Sequence, residues 1–171
     1  DLVGVIVPDF TSHFFVEVLQ GVQHSLKNFN LDLVLFNVSD KNNKDKYIDR
    51  VIGERRVDGV IAITMNMTDD DINKFKQASL PLVLVDDWHN DVSSIAIDDV
   101  FGSKQAIEYL LNLGHQKIAF LSGILGNQHS DKRFEGVKKA FQKSKIELDK
   151  NLTIEEEFTI SGGKRAMKEL L

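Results

Sequence analysis

Cysteine is absent from the 171 residues, and there are only 2 prolines. The sequence also has no excess of basic charge and no long apolar run. Without cysteine there is no disulfide scaffold, thiolate metal site or thiol nucleophile. Apolar runs such as Leu2–Val7 fall far short of the ~20 residues that span a bilayer, so no membrane partner is expected. The 26 Asp and Glu residues outnumber the 21 Lys and Arg residues. The net charge of −5 therefore excludes a generally basic surface that would hold nucleic acid through its phosphates.

What is present is typical of a soluble globular protein, with 42% hydrophobic and 27% charged residues. The first residues contain no charged segment followed by an apolar leader. We therefore expect a cytoplasmic protein, or one from which a leader has been removed. The length predicts one domain or two small lobes.

Short β-branched apolar runs alternate with longer segments of helical spacing, which predicts parallel βαβ units. Runs that are apolar at successive positions, such as Val60–Ile63, suit a sheet covered by helices on both faces. The predicted strands are Leu2–Val7, Leu31–Val38, Val57–Ile63, Leu82–Asp86, Ser94–Ile97, Lys117–Leu121 and Leu152–Phe158.

The predicted helices lie between these strands. In the first, apolar residues from Phe15 to Phe29 recur at steps of three and four, with Ser12 as a candidate N-cap and Asn30 as a terminator. Three acidic residues after Thr68 favour a helix N-terminus. The remaining predicted helices span about Lys44–Glu54, Val100–Leu113, a segment around Phe134–Phe141 and a segment from Ser161 onwards.

Two features concern the organisation of the chain. A loop rich in Asp, Asn and Ser ends near Asp98, so the lobe boundary is predicted there, giving residues 1–98 and 99–171. The apolar stripe of the last predicted helix, which includes Ala166 and Leu170, is still in progress at Leu171. We therefore expect either a longer native gene product or a piece that is only marginally stable as a monomer.

Several segments, taken together in order and spacing, resemble the effector-binding core of LacI/GalR-type bacterial transcription regulators. No single segment is specific, but their joint order is, and the similarity covers essentially the whole chain. The segments are Val5–Glu17, Arg56–Ile61, Leu82–Asp86 with Ile97–Asp98, Leu113–Gly123 and Ser161–Met167.

The resemblance implies an α/β fold with two Rossmann-like lobes of parallel sheet flanked by helices, similar to periplasmic binding proteins. It implies a small effector in the cleft between the lobes, a homodimer, and operator DNA bound by an N-terminal helix-turn-helix headpiece. Residues 1–171 contain no such headpiece. By the same comparison they hold a first lobe without its returning segment and an incomplete second lobe.

Ligands of such sheets bind beyond the carboxyl ends of the strands, which directs attention to the loops there. After the first strand, Phe14 and Phe15 can stack on a sugar or base ring, and by resemblance this pair lines the effector cleft. The alternative is that both are core residues. Phe15 fits the apolar stripe of its helix and Phe14 does not, so the core alternative applies more strongly to Phe15.

The fourth strand is followed by Asp86, Asp87 and Trp88. A carboxylate in this position can accept hydrogen bonds from sugar hydroxyls, and the single tryptophan could stack on the ring. By resemblance Asp87 faces the ligand. The alternative is a solvated loop in which Asp86 caps local amides.

After the sixth strand, Asn127, His129 and Arg133 occupy positions that by resemblance contact the effector. A guanidinium suits bidentate recognition of a carboxylate, a phosphate or vicinal hydroxyls. The alternative is that Arg133 is an ordinary surface charge. Asn127 stands where members with purine or phosphate-bearing effectors often have arginine, which favours a neutral ligand such as a sugar.

Other patterns predict neither a metal nor a cofactor. Asp69–Asp71 could suggest a hard cation, but a helix start accounts for these acids. The glycines at 123 and 126 form no phosphate-binding loop, and no nucleophile elbow or HExxH motif occurs. The stretch 131–150 carries seven basic residues against four acidic ones. It is predicted to be a solvated helix face, or, as a weaker alternative, a docking surface for a phosphoprotein co-regulator.

Three functions follow from these observations. The first is the effector-sensing and dimerising core of a transcription regulator, which would act as a repressor and not as an enzyme. The second is a periplasmic sugar-binding protein of an ABC transporter, which shares the fold. The third is an α/β hydrolase or transferase, whose candidate residues would be Asp86, Asp87, Asp98 and His89, although these residues show no recognisable base–nucleophile spacing.

Overall fold

A computed structural model describes the backbone of residues 1–171 and every side chain except that of Lys41. The chain divides into two compact units, Asp1–Ile97 and Asp98–Leu171. The sequence-based boundary fell one residue later, after Asp98. The carboxylate of Asp98 accepts a hydrogen bond from the Phe101 N–H at 2.9 Å and caps the helix that opens the second unit. Asp98 therefore belongs with the second unit.

The first unit is built on a parallel sheet, whose strand order over the described residues is β2-β1-β3-β4-β5. Its strands are β1 (Leu2–Val7), β2 (Asp32–Asn37), β3 (Gly59–Ile63), β4 (Leu82–Val85) and β5 (Ser93–Ile95). Its α-helices are α1 (His13–Asn28), α2 (Lys44–Glu54) and α3 (Asp69–Gln77).

The core of this unit lies on both faces of the sheet. Val5, Ile6 and Val7 of β1 are completely buried, although successive side chains of a strand point to opposite faces. The cluster containing Val5 and Val7 packs against α1, and the cluster containing Ile6 packs against α2 and α3. The expected sheet with helices on both sides is therefore confirmed.

The second unit contains a pair of parallel strands, β6 (Phe120–Ser122) and β7 (Thr153–Glu155). Its α-helices are α4 (Asp99–Asn112), α5 (Gln128–Ser144) and α6 (Ile160–Leu170). Helices α4 and α5 pack closely, with Ile107 of α4 and Val137, Ala140 and Phe141 of α5 buried in one cluster. Gly136 lies at this contact. A side chain there would meet the Val100 carbonyl oxygen and approach the Ser103 Cβ to 2.9 Å.

Each predicted strand and helix is present, but several boundaries were wrong. The predicted strand Lys117–Leu121 is paired only from Phe120, and the predicted strand Leu152–Phe158 is paired only over Thr153–Glu155. A β-strand requires a hydrogen-bonded neighbour. In the described chain β6 and β7 pair only with each other, so their apolar flanks are not part of a ladder.

The predicted helix ends are present, but the N-cap residue of α1 does not make the expected side-chain hydrogen bond. Thr68 and Asp71 form a reciprocal capping box at the start of α3, as the acidic pattern predicted. Asn30 has the expected left-handed backbone after α1, with φ 55°. Ser12 occupies the N-cap position of α1, but its side chain makes no capping bond. Asp9 accepts the Ser12 N–H at 3.2 Å and so fixes the residue that precedes the helix.

Candidate functional site

In the first unit, the loops at the carboxyl edge of the sheet have an unusual backbone. Thr64, Asn66 and Asp86, which follow β3 and β4, all have φ near +50°. Left-handed backbone is uncommon outside glycine, and least expected for a β-branched residue such as Thr64. The Thr64 hydroxyl donates a hydrogen bond to the Asp86 carboxylate at 3.3 Å. The two loops are therefore fixed to each other in strained conformations.

Asp87 strengthens this connection. It is buried, and its carboxylate accepts hydrogen bonds from the Met67 N–H and the Trp88 N–H, both at 2.9 Å. These bonds tie the loop after β4 to the loop after β3. The carboxylate thus has a structural role, and the expectation that Asp87 faces a ligand remains a prediction.

A second carboxylate, Asp71, fixes the loop after β3 from the opposite end. It is buried and accepts hydrogen bonds from the Lys44 ammonium at 2.6 Å and from both the N–H and the hydroxyl of Thr68 at 2.8 Å. The Lys44 ammonium also donates to the Asn66 carbonyl at 3.1 Å. The loop is therefore held rigid by charge-assisted hydrogen bonds, which suits a ligand-binding edge.

Three aromatic rings in the loops and helix start at this edge are accessible to solvent. Phe14 at the start of α1 is 40% exposed, and Trp88 after β4 is 60% exposed. Phe10 in the loop before α1 is also exposed. Phe15 packs partly against the Val5 cluster and contacts Phe14 edge to face at a ring separation of 5.1 Å. Phe14 is thus available for stacking, whereas Phe15 supports it from the core.

The residues named for a hydrolase or transferase have other partners. His89 Nδ1 accepts the Asp91 N–H at 3.1 Å, and its Nε2 lies 2.8 Å from Asp69. The Nδ1 bond leaves Nε2 as the nitrogen that carries the hydrogen. His89 therefore bonds to an acid outside the proposed set, and Asp87 and Asp98 accept backbone N–H groups. These contacts favour structural roles.

In the second unit, the loop between β6 and α5 is fixed mainly by acids and amides. The Asn127 side chain caps α5 by accepting the His129 N–H at 3.0 Å. Asp131 accepts the Gly126 N–H at 2.9 Å, and Glu155 accepts the Leu125 N–H at 3.2 Å. Carboxylates thus accept the hydrogen bonds of two backbone N–H groups just before α5.

The side chains of His129 and Arg133 meet on a residue that the sequence interpretation did not select, Asp99. His129 Nδ1 lies 2.8 Å from one carboxylate oxygen of Asp99, and Arg133 Nε donates to the other at 2.7 Å. Asp99 is the first residue of α4, and only 6% of it is exposed. Two of the three predicted site residues of this unit are therefore organised by one buried carboxylate.

A signal for Asp99 was present in the sequence. Asp99, Ser103 and Ile107 are four residues apart and share one helix face, and Ile107 is an apolar residue of the kind that faces a core. An acid on the same helix face as a core residue is expected to be buried. If the facing helix carries His and Arg, the acid is expected to pair with them. The sequence does not state which helix lies opposite, so the partners could be identified only from the fold.

The pKa values of two buried acids, Asp99 and Asp71, lie below the ordinary value for an aspartate. Burial alone would raise the pKa of Asp99, but hydrogen bonds from His129 and Arg133 outweigh it and lower the pKa below the ordinary value. Burial would likewise raise the pKa of Asp71, and the hydrogen bonds from Lys44 and Thr68 lower it further than burial raises it.

These shifts predict how stability depends on pH. A carboxyl group whose pKa is lower in the folded state stabilises that state above its unfolded pKa of about 3.9. The contribution is lost as pH falls through the folded pKa. We expect the free energy of unfolding to decrease from about pH 5 downwards, as measured by urea denaturation at pH 7, 5, 4 and 3. The variant Asp71→Asn should show a shallower decrease, and an equally steep one would contradict the assignment.

The described residues contain neither a metal site nor a membrane-spanning helix. No group of three or more His, Asp or Glu side chains in the described part is arranged to hold a metal ion. Asp71 and Asp69 bond to Lys44 and His89, respectively. Among the described helices, none is both long and apolar enough to cross a membrane.

An α/β fold with parallel strands, and with accessible aromatic and polar side chains in the loops at their carboxyl ends, suits a ligand-binding domain of the periplasmic-binding-protein type. Residues 1–171 match the family described as periplasmic binding proteins and sugar binding domain of LacI family, and the chain belongs to that family. The resemblance to LacI/GalR regulators and the predicted fold class are thereby confirmed.

Individual relatives agree with this assignment. The chain is 27% identical to catabolite control protein A of Priestia megaterium over 99% of this chain and 52% of the relative. It is 32% identical to the transcriptional repressor PurR of Vibrio atlanticus over 91% of this chain and 48% of the relative. A solved LacI family regulator from Enterococcus faecium with bound ribose superposes with a TM-score of 0.82 at 27% identity, covering 99% of this chain and 62% of that one. The chain spans about half the length of these curated relatives.

Proposed function

We propose that the chain is the effector-binding part of a cytoplasmic bacterial transcription regulator, acting as a repressor that responds to a small polar ligand. The whole-chain match to the LacI sugar-binding family carries this proposal. Curated relatives that are similar over nearly the full chain include catabolite control protein A and the HTH-type transcriptional repressor PurR. The complete protein is proposed to form a homodimer and to bind operator DNA through a separate headpiece.

A neutral sugar is the proposed class of ligand. Phe14 and Trp88 offer aromatic faces for stacking, which pyranose and furanose rings accept. Arg133 and Asn127 supply polar groups that can bond to hydroxyls. The similar regulator from Enterococcus faecium binds ribose, which supports the same ligand class here.

Regulation would follow from differential binding. A ligand shifts a regulator between two conformations only to the extent that it binds one of them more tightly. The sugar is proposed to favour one arrangement of the complete dimer and so alter its affinity for the operator. A mobility-shift titration of the complete protein with operator DNA, with and without sugar, tests this mechanism. Sequence-specific binding by residues 1–171 alone would contradict it.

A thermal-shift panel of sugars, nucleobases and sugar phosphates on the complete protein tests the ligand class, because a ligand that binds the native state raises the melting temperature. We expect a neutral sugar to give the largest shift. Replacing Arg133 with glutamine should weaken binding of that sugar by up to about tenfold, since an ordinary hydrogen bond contributes about 0.5–1.5 kcal/mol. Calorimetric titration measures the change.

Arg50→Gln is the matched control. Arg50 forms an exposed pair with Glu54 within α2, so its loss should leave sugar affinity unchanged. If no sugar stabilises the protein, or if Arg50→Gln weakens binding as much as Arg133→Gln does, the proposed ligand class or the role of Arg133 is wrong.

For the basic stretch 131–150, a docking surface for a phosphoprotein co-regulator is the weaker of two alternatives. Several of its cations are already paired, since Lys143 bonds to Glu108 at 2.8 Å and Lys139 pairs with Glu135. Lys138 lies 5.0 Å from the ring centre of Phe134. The contacts therefore favour the solvated helix face over the docking surface.

The periplasmic sugar-binding protein remains the second candidate because the same family includes that class. The coding sequence upstream of Asp1 separates the two candidates. A helix-turn-helix segment supports the regulator, and a secretory signal peptide supports the transport protein.

A further inference from the structure

The acid Asp99 lies between two candidate ligand-binding side chains of the second unit, His129 and Arg133. Both of its carboxylate oxygens are engaged, one with His129 Nδ1 and the other with Arg133 Nε. Its own side chain is 5% exposed, whereas that of Arg133 is 42% exposed. The carboxylate is thus shielded from solvent while the cation that it holds is not.

The contact fixes the direction of Arg133. A guanidinium is planar and carries five N–H donors in a rigid fork. The Nε hydrogen is used by Asp99, so the plane of the group is set by that bond. The two terminal nitrogens, for which the described residues show no close hydrogen bond, remain available as a pre-oriented pair of donors.

The same contact cancels the charge of Arg133. A guanidinium paired at 2.7 Å with a buried carboxylate has little net charge to offer a ligand. It still donates hydrogen bonds. Such a group suits hydroxyls better than phosphates or carboxylates, whose affinity for arginine comes largely from its charge.

A second observation concerns the backbone beside this cluster. The N–H groups that precede a helix commonly bind anions. Here the Gly126 N–H is bonded to Asp131 and the Leu125 N–H is bonded to Glu155. An approaching anion would therefore meet the carboxylates of Asp131 and Glu155, and the two N–H groups would not be free to bind it.

We propose that Asp99 determines the charge class of the ligand, by holding Arg133 as a neutralised donor pair that accepts polyhydroxylated uncharged molecules and rejects their phosphorylated or carboxylated forms. Asp99 is a positioning residue, acting on the ligand through Arg133. This inference deepens the proposed sugar-binding function and rests on it for the identity of the ligand, but charge selection at Arg133 can be measured without a known effector.

The test uses inorganic phosphate as the probe and the complete protein in wild-type and Asp99→Asn forms. Asparagine keeps the size of the side chain and an acceptor oxygen but removes the charge. Phosphate is titrated while the ¹H–¹⁵N signal of Arg133 Nε is followed by NMR, and affinity is measured by calorimetry. We expect no saturable change at Arg133 in the wild type, and phosphate binding at least about tenfold tighter in Asp99→Asn.

Two controls define the cause. Asp98→Asn removes one negative charge from the neighbouring residue while keeping a good helix cap, and should gain no phosphate affinity. The double variant Asp99→Asn with Arg133→Gln should lose the gain seen in Asp99→Asn. An equal gain in Asp98→Asn would overturn the proposal, because any lost negative charge would then suffice.

The wild-type titration alone keeps the proposal falsifiable if Asp99→Asn does not fold. Saturable phosphate binding at Arg133 in the wild type, as tight as that of a neutral sugar, would overturn it. Failure of the proposed function gives a different result. A protein that no sugar stabilises, but whose Asp99→Asn variant gains phosphate binding at Arg133, contradicts the sugar proposal and supports charge selection by Asp99.

Discussion

Replacing Gly136 with alanine is expected to lower the free energy of unfolding by about 2 kcal/mol. A Cβ at this position of α5 would collide with the Val100 carbonyl oxygen and lie 2.9 Å from the Ser103 Cβ and 3.0 Å from the Lys104 nitrogen of α4. Two of these three atoms belong to the backbone, so no side-chain rotation relieves the overlap. Overpacking of this kind costs about 1–3 kcal/mol and occasionally more, and here it outweighs the gain of about 1 kcal/mol from better helix propensity.

Gly102→Ala in α4 is the matched control. Its added Cβ meets nothing within 4 Å, so only the helix-propensity term applies and the variant should be as stable as the wild type or slightly more so. Urea denaturation followed by far-ultraviolet circular dichroism measures both variants. A Gly136→Ala variant that matches Gly102→Ala in stability would show that α4 and α5 do not approach as closely as the structure has them.

The close approach at Gly136 also bears on the candidate site. Asp99 lies on α4, and His129 and Arg133 lie on α5. If Gly136→Ala separates the two helices, the bonds of Asp99 to both residues should lengthen. The ¹H–¹⁵N signal of Arg133 Nε in the folded variant reports this change directly.

Much of the fold could be predicted because it depends on local patterns. Helical spacing and β-branched runs are properties of neighbouring residues, and they predicted every strand and helix near its place. The capping box of Thr68 and Asp71 was likewise legible from residues three apart. The strand order β2-β1-β3-β4-β5 and the short paired spans of β6 and β7 depend on which distant segments become neighbours.

The candidate site was less predictable for the same reason. Resemblance to a known family selected His129 and Arg133, but not the acid that joins them. Asp99 lies 34 residues from Arg133 along the chain, and its partners become visible only when α4 packs on α5. Asp87 shows the converse. Its position after a strand suggested a ligand contact, and the structure adds two backbone hydrogen bonds that a sequence pattern does not display.

Replacing Asp71 with alanine is expected to lower the free energy of unfolding by about 3–4 kcal/mol. The change removes the acceptor of the Lys44 ammonium, whose side chain is only 17% exposed, together with the acceptor of the Thr68 N–H. Breaking a buried ion pair by deleting one partner costs about 3–5 kcal/mol, since the remaining charge is left without compensation. Loss of a helix cap alone costs about 1 kcal/mol.

The neighbouring acid Asp70 provides the control, because it lies in the same first turn of α3 but is exposed. Asp70→Ala should change stability by less than about 1 kcal/mol, the range of a charge near a helix N-terminus. Trp88 lies in the same unit as Asp71, so urea denaturation monitored by tryptophan fluorescence follows the relevant unfolding. Equal effects of the two substitutions would show that Asp71 stabilises α3 only through the helix dipole.

A local consequence separates the buried pair from a general loss of stability. Lys44 also bonds to the carbonyl of Asn66, and the loop that contains Asn66 is joined to Asp87 through the Met67 N–H. Without Asp71, the Lys44 ammonium is expected to move towards solvent. Its hydrogen bond to the Asn66 carbonyl would then weaken. We therefore expect the Met67 amide to exchange with solvent faster in Asp71→Ala than in Asp70→Ala at the same fraction unfolded. Hydrogen exchange measured by NMR below the denaturation transition checks this, and unchanged protection of Met67 would mean that Asp87 alone fixes the loop.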